Sequence, residues 1–304
     1  MIKRLTILTL ISLTAPFNEL SGQDNFSGNP DSVVFHTKDI NNFWKVFDKT
    51  APEFDPKAFQ EEYINIGSKG LKGFINFRIV DGKNLSNTIK SNLAYYNSIR
   101  ESSFLIDKKR ERFYECFRNL KGIYSRAVFP DVYFVIGAKN SGGTIFSGGL
   151  IIGAETFGKT TDTFTPTLDI DYIDEVVAHE LIHFQQNYSK NNSLLAQCIK
   201  EGAADFICEL IAGAHSNKKI FEYGDAHTKE LWEKFVKEKD NTNWGNWLYY
   251  TSDKSRPKDL GYWMGYKISK AYYDKMVDKE KAISDILNIA DFNEFLDKSE
   301  YNGQ

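Results

Sequence analysis

The residues with the clearest capacity for chemistry are His179, Glu180 and His183, in the run His179-Glu180-Leu181-Ile182-His183. Helical residues four apart differ by about 40° around the axis, so both imidazoles project from one face and can hold one ion tetrahedrally. Glu180 sits beside them, with its carboxylate near the metal's open position, where it can take a proton from bound water. Chance matches to this short pattern usually fall in polar surface helices. Here Val177, Leu181, Phe184 and Tyr188 recur at helical spacing, and Ala178 and Ile182 add a second apolar edge. The helix is therefore expected to be central, with its start marked by the acidic residues between Asp169 and Asp174.

Eighteen residues after His183 comes the run Glu201-Gly202-Ala203-Ala204-Asp205, inside a second apolar helix that Ser193 can cap and Gly213 can end. Glu201 and Asp205 share a face, and carboxylates in such a helix must be paired or bound. Packed across the first helix, one could bind zinc while the other orients a ligand histidine. A buried ion pair with lysine or arginine is the competing reading. Cys198 and Cys208 fall on roughly the same face, so a thiolate ligand also has to be weighed. A site with three protein ligands and one position kept for water has no need of it.

The two runs together resemble the gluzincin metallopeptidases, and more closely the bacterial families of predicted zinc-dependent proteases that carry HExxH, a spacer and EGxAD. That resemblance covers about Val176 to Phe206 and is absent from residues 24–120. It implies a zincin-like fold with one Zn2+ per chain bound by His179, His183 and Glu201. It further implies Glu180 as general base and Asp205 as the carboxylate orienting a ligand histidine. No metzincin third histidine follows, since the next histidine is His215.

Zinc held by two imidazoles and a carboxylate brings the pKa of bound water to about 7, from which Glu180 can take the proton for attack on a carbonyl. Tyr262 and Tyr266 are candidate oxyanion donors, four apart in Gly261-Tyr262-Trp263-Met264-Gly265-Tyr266; aromatic residues at that spacing also read as core. Arg256 could bind a substrate carboxylate, with a solvated surface role as the stronger reading, and the remaining histidines, His36, His215 and His227, read as solvated. The resemblance also implies an edge strand above the zinc helix to which an extended peptide can add, with Gly148 to Glu155 as the candidate; its glycines read equally as marking a hairpin or bulge.

The elements that must position these groups give an α+β fold, mostly helical, with a small antiparallel or mixed sheet packed on the HExxH helix. Residues 33–120 read as an N-terminal helical region with breaks at Pro52, Gly70 to Gly73 and Asp81-Gly82, then one long segment from Leu85 to Leu120. Residues 121–304 read as a zincin-like catalytic region, possible as one continuous domain with the first. Its strands are Val132 to Ile136 and Leu150 to Ile152, joined by glycine turns, with a loop between Asp240 and Leu260.

Residues 1–23 have the form of a signal peptide: Lys3 and Arg4, an apolar run from Leu5 to Phe17, and small residues at Ser21 and Gly22. Residues 24–32 read as a flexible lead-in. The first cysteine is Cys116, which leaves no cysteine for lipid modification directly after the leader; Cys198 and Cys208 are too far apart on one helix to pair, so at most Cys116 pairs with one of them, and buried free thiols are the competing reading. The mature chain is expected in the periplasm or outside the cell, with no stable membrane span after signal removal. Its 38 basic and 41 acidic residues, for a formal charge of -3, provide no field for nucleic acid. The expected activity is an exported zinc peptidase acting on peptide or protein substrates. The alternatives are a zinc-binding envelope or accessory protein without catalysis, or a hydrolase of a non-peptide amide.

Overall fold

The computed structural model describes residues 26–158, 168–253 and 255–304, so the leader expected over residues 1–23 lies outside the described residues. The chain divides into two compact units, one formed by residues up to Tyr114 with Val128–Val177, the other by Glu115–Ala127 with Ala178–Gln304.

The first unit begins with strand β1 (Phe35–His36) and helix α1 (Lys38–Thr50). Ile40, Phe43, Trp44 and Phe47 form one buried stripe on α1, the spacing of an amphipathic helix. Helices α2 (Pro56–Phe59) and α3 (Lys69–Gly73) follow, then α4 (Gly82–Ser91), α5 (Leu93–Leu105) and α6 (Arg110–Ile123), the last running on into the second unit.

Two expectations need correction here. Gly70 does not break a helix but lies inside α3, of which Gly73 is the last residue; a Cβ on Gly70 would sit 2.1 Å from that of Tyr133, so glycine lets the helix press onto the sheet. The long segment from Leu85 is three helices: Asn92 leaves helical geometry at φ -135°, and a 3-10 turn at Ile106–Lys109 separates α5 from α6.

The sheet has four strands in the order β1, β2 (Val132–Val135), β4 (Gly149–Gly153), β3 (Gly143–Phe146). It is mixed: β1 and β4 run parallel to β2, while β3 runs antiparallel to β4. Every residue of β2 and β4 is buried, as their uninterrupted apolar runs require of strands covered on both faces. The expected edge strand is therefore an interior one, since β1 and β3 form the edges. Its backbone is already paired on both sides and cannot receive an added strand.

Helix α7 (Ile173–Gln185) starts in the first unit and crosses into the second. There α8 (Leu194–Ala212) is buried along most of its length, capped by Ser193 and ended by Gly213 in the left-handed region at φ 84°, as the sequence indicates. Helices α9 (Lys218–Ala226), α10 (Thr228–Glu238), α11 (Leu260–Lys275), α12 (Lys279–Leu287) and α13 (Phe292–Ser299) complete this unit. Asp278 and Asp291 cap α12 and α13 through their side chains.

The decisive packing in the second unit is α8 on α11. A Cβ on Gly265 would lie 1.7 Å from the carbonyl oxygen of Cys198, and one on Gly202 would lie 2.0 Å from the backbone nitrogen of Tyr266. Only glycine at both positions lets the backbones approach this closely. The glycine of the Glu201-Gly202-Ala203-Ala204-Asp205 run thus serves helix packing, which brings the start of α11 to the carboxylates of α8.

Candidate metal centre

Helices α7 and α8 bring His179, His183, Glu201 and Asp205 together. Oε2 of Glu201 lies 3.1 Å from Nε2 of His183 and 3.5 Å from Nε2 of His179. Two donors on one tetrahedral zinc, each with a bond near 2.0–2.1 Å, stand about 3.3 Å apart, a value these two distances straddle. The three potential ligand atoms all fall within 4.8 Å of one another, and the imidazoles stand nearly perpendicular, at 89°.

Each imidazole is held by its other nitrogen. Nδ1 of His179 is 2.8 Å from Oδ1 of Asp205, and Nδ1 of His183 is 2.8 Å from Oε1 of Gln186. A proton kept on Nδ1 by these acceptors leaves Nε2 with the lone pair that ligation requires. The supports are themselves supported: Asn217 donates to Oδ2 of Asp205 at 2.6 Å, and Gln186 donates to the carbonyl of Lys200 at 2.7 Å. Oε1 of Glu201 accepts from the hydroxyl of Tyr249 at 3.0 Å.

The electrostatics favour a cation at this point. Burial by itself lowers the basicity of His179, but the carboxylates of Asp205 and Glu201 outweigh it and raise its pKa to about 10. Burial likewise opposes ionisation of Glu201, yet the imidazoles of His183 and His179 hold it well below the usual carboxylate range. The Glu201 side chain is fully sealed, whereas that of His179 keeps 15% of its surface open, so solvent reaches the cluster from the His179 side. Donor set, spacing and charge all fit zinc.

Glu180 is buried on α7 between the two histidines. The two tyrosines of α11 part company. Tyr262 stacks on His179 with ring centroids 6.0 Å apart; burial, with the Glu201 charge adding to it, holds its phenol protonated far above the ordinary range. Tyr266 turns toward Phe206, His215 and Phe221, and its hydroxyl bonds Glu209, so the structure does not bring it to the cluster of His179, His183 and Glu201.

Cys198 packs toward α11, where its Sγ lies 2.8 Å from the Cβ position of Gly261, and Cys208 bonds the carbonyl of Ala214. All three cysteines are buried, and neither thiol of α8 joins the cluster of His179, His183 and Glu201. Arg256 is nearly buried, donating to the carbonyl of Asn246 and lying over Trp247, and so braces its own loop instead of waiting for a carboxylate. The other histidines also have protein neighbours: His36 bonds Asp131, His215 lies among Phe221 and Tyr266, and His227 stacks on Tyr223.

Sequence reasoning missed Gln186, Asn217 and Tyr249. Gln186 follows His183 by three residues and was within reach of a helical-neighbour argument. Asn217 and Tyr249 had no local signal, because only the packed chain brings them to Asp205 and Glu201.

The family described as Gliding motility protein GldB matches residues 32–303. The chain belongs to this family. That finding overturns the assignment to the gluzincin metallopeptidases, and with it the expectation of an exported peptidase or hydrolase with a peptide substrate. The GldB family match extends across residues 33–120, where the peptidase resemblance was absent, and so accounts for most of the chain instead of a segment of about thirty residues. The zinc-ligand pattern describes local donor geometry, which a family outside the peptidases can carry equally well. No curated protein and no solved structure gives a significant match to the chain. Among the described residues, no helix is long and apolar enough to cross a membrane.

Proposed function

We propose that this chain is a cell-envelope accessory protein of gliding motility that holds one zinc ion through His179, His183 and Glu201 as part of its working structure, not for proteolysis. The observation that carries the reading is the convergence of both Nε2 atoms on Oε2 of Glu201, each imidazole being fixed from behind. Membership of the GldB family supplies the motility context, and the leader-like residues Lys3 to Phe17 agree with export. In this reading the pairing of α7 with α8 serves as a metal-holding scaffold. Three protein donors leave a fourth position for water or for a donor from a partner.

The test combines metal content with motility in a gliding strain that depends on this protein. The wild type is expected to carry about one zinc per chain, and His183→Ala is expected to lose both the metal and colony spreading. Glu180→Gln is the informative variant: it should keep zinc and spread normally, because this reading gives the carboxylate no proton to move. Loss of spreading with zinc retained in that variant would overturn the non-catalytic reading. A metal-free wild type after zinc reconstitution would overturn the metal centre.

A further inference from the structure

We infer that Tyr249 is a positioning residue for the metal centre, holding Glu201 so that one carboxylate oxygen, Oε2, faces the two imidazoles. This rests on the zinc reading given above. The two oxygens of Glu201 have different neighbours: Oε2 meets Nε2 of His183 and His179, while Oε1 accepts the Tyr249 hydroxyl at 3.0 Å. A carboxylate on zinc can bind through one oxygen or both, and a donor fixed on the second oxygen selects the first mode.

The phenol reaches Glu201 from a loop built to present it. Tyr249 itself has φ 64°, in the left-handed region that a bulky side chain seldom occupies without compensation. The compensation is visible around it. Its backbone N–H donates to Oδ1 of Asp259 at 2.5 Å, and Asp259 immediately precedes α11 and also lies in the left-handed region at φ 65°. Asn246, a third such residue at φ 67°, accepts the Arg256 guanidinium on its carbonyl. The backbone N–H of Asn246 is bonded to the carbonyl of Tyr250, which closes the loop on itself. Strain concentrated in a loop whose central side chain ends on a fully buried carboxylate is the signature of a positioned group. A phenol serving only to fill space would have no need of a hydrogen bond to Oε1, the Glu201 oxygen other than the one on which both Nε2 atoms converge.

The test is zinc affinity by chelator competition, together with the visible spectrum of the Co2+-loaded full chain, for wild type, Tyr249→Phe, Asp259→Asn and Tyr250→Phe. Tyr249→Phe deletes one hydroxyl and keeps the ring, and its far-ultraviolet circular dichroism should match wild type. Its zinc affinity is expected to fall roughly 10- to 100-fold, the usual consequence of losing a support behind a metal ligand. The Co2+ bands should weaken and shift as the second carboxylate oxygen becomes free to bind, a change that a purely structural role would not produce. Asp259→Asn, which loosens the same loop from behind, should move both readouts in the same direction by less. Tyr250→Phe, at a neighbouring exposed position, should move neither. Wild-type affinity and an unchanged Co2+ spectrum in Tyr249→Phe would overturn the inference while leaving the metal centre standing. Failure of the wild type itself to bind either metal would overturn both.

Discussion

Among the described residues, each unit of the chain seals one glutamate completely from solvent, and the two glutamates have opposite fates. Glu201 in the second unit faces two imidazoles and a phenol and is held ionised. Glu155, just after β4 in the first unit, is equally buried, and burial pushes its pKa up to about 7. The backbone N–H groups of Gly137, Lys139 and Glu155 itself turn toward its carboxylate, but among the described residues none reaches full hydrogen-bond geometry. Tyr63, Tyr95 and Tyr96 crowd the same region, each donating its hydroxyl to a backbone carbonyl and not to the carboxylate. Depth of burial by itself therefore does not set the charge of a carboxylate. What distinguishes Glu201 is the convergence of two imidazole nitrogens on one of its oxygens.

The comparison breaks most sharply under one substitution made in both places. Glu201→Gln removes the charge facing two buried imidazoles and should destabilise the protein by about 3–5 kcal/mol in thermal or urea unfolding, with loss of zinc. Glu155→Gln should act in the opposite direction at alkaline pH. The folded Glu155 retains its proton to about pH 7, whereas the unfolded side chain releases it near 4.5. The folded state thus holds the extra proton between those values, so wild-type stability falls as pH rises through that window. At pH 8 Glu155→Gln should be more stable than wild type by roughly 3 kcal/mol, and the advantage should vanish below pH 4.5. A destabilised Glu155→Gln at pH 8 would show that the buried carboxylate is stabilised by its surroundings after all. The smallest effect is expected one step behind the ligands. Asp205→Asn keeps an acceptor for His179 but loses the charge, and should weaken zinc roughly 10-fold with little change in unfolding. Equal losses for Asp205→Asn and Glu201→Gln would make the two carboxylates equivalent and remove the distinction drawn between ligand and support.

The legible part of the site was the part written at helical spacing. His179 with His183, and Glu201 with Asp205, are pairs four apart, so their shared faces follow from the period of the helix before any tertiary contact is known. The caps at Ser193 and Gly213 were legible for the same reason, since each acts within a few residues of itself. Tyr262 and Tyr266 show where this logic stops. Their common spacing suggested a common role, yet Tyr262 meets His179 and Tyr266 meets Glu209, because the close contact at Gly202 and Gly265 decides which part of α11 faces the cluster. The sheet was legible as strands but not as an order. An apolar run such as Leu150-Ile151-Ile152 indicates burial, and only pairing with both β2 and β3 makes it an interior strand.

The sequence by itself determined the donor types, their pairing on two helices and the mostly helical character of the chain with its small sheet. These properties depend on side-chain chemistry and on local backbone periods, both of which are read along the chain. The tertiary structure alone decided that both Nε2 atoms meet one oxygen of Glu201, that Asn217 and Tyr249 stand behind the carboxylates, and that Glu155 is buried without a comparable set of donors. Tyr249 lies 48 residues from Glu201 in the chain, so no local period could relate them. The physical reason is the packing of α8 on α11: two helices in backbone contact bring the loop before α11 to Glu201.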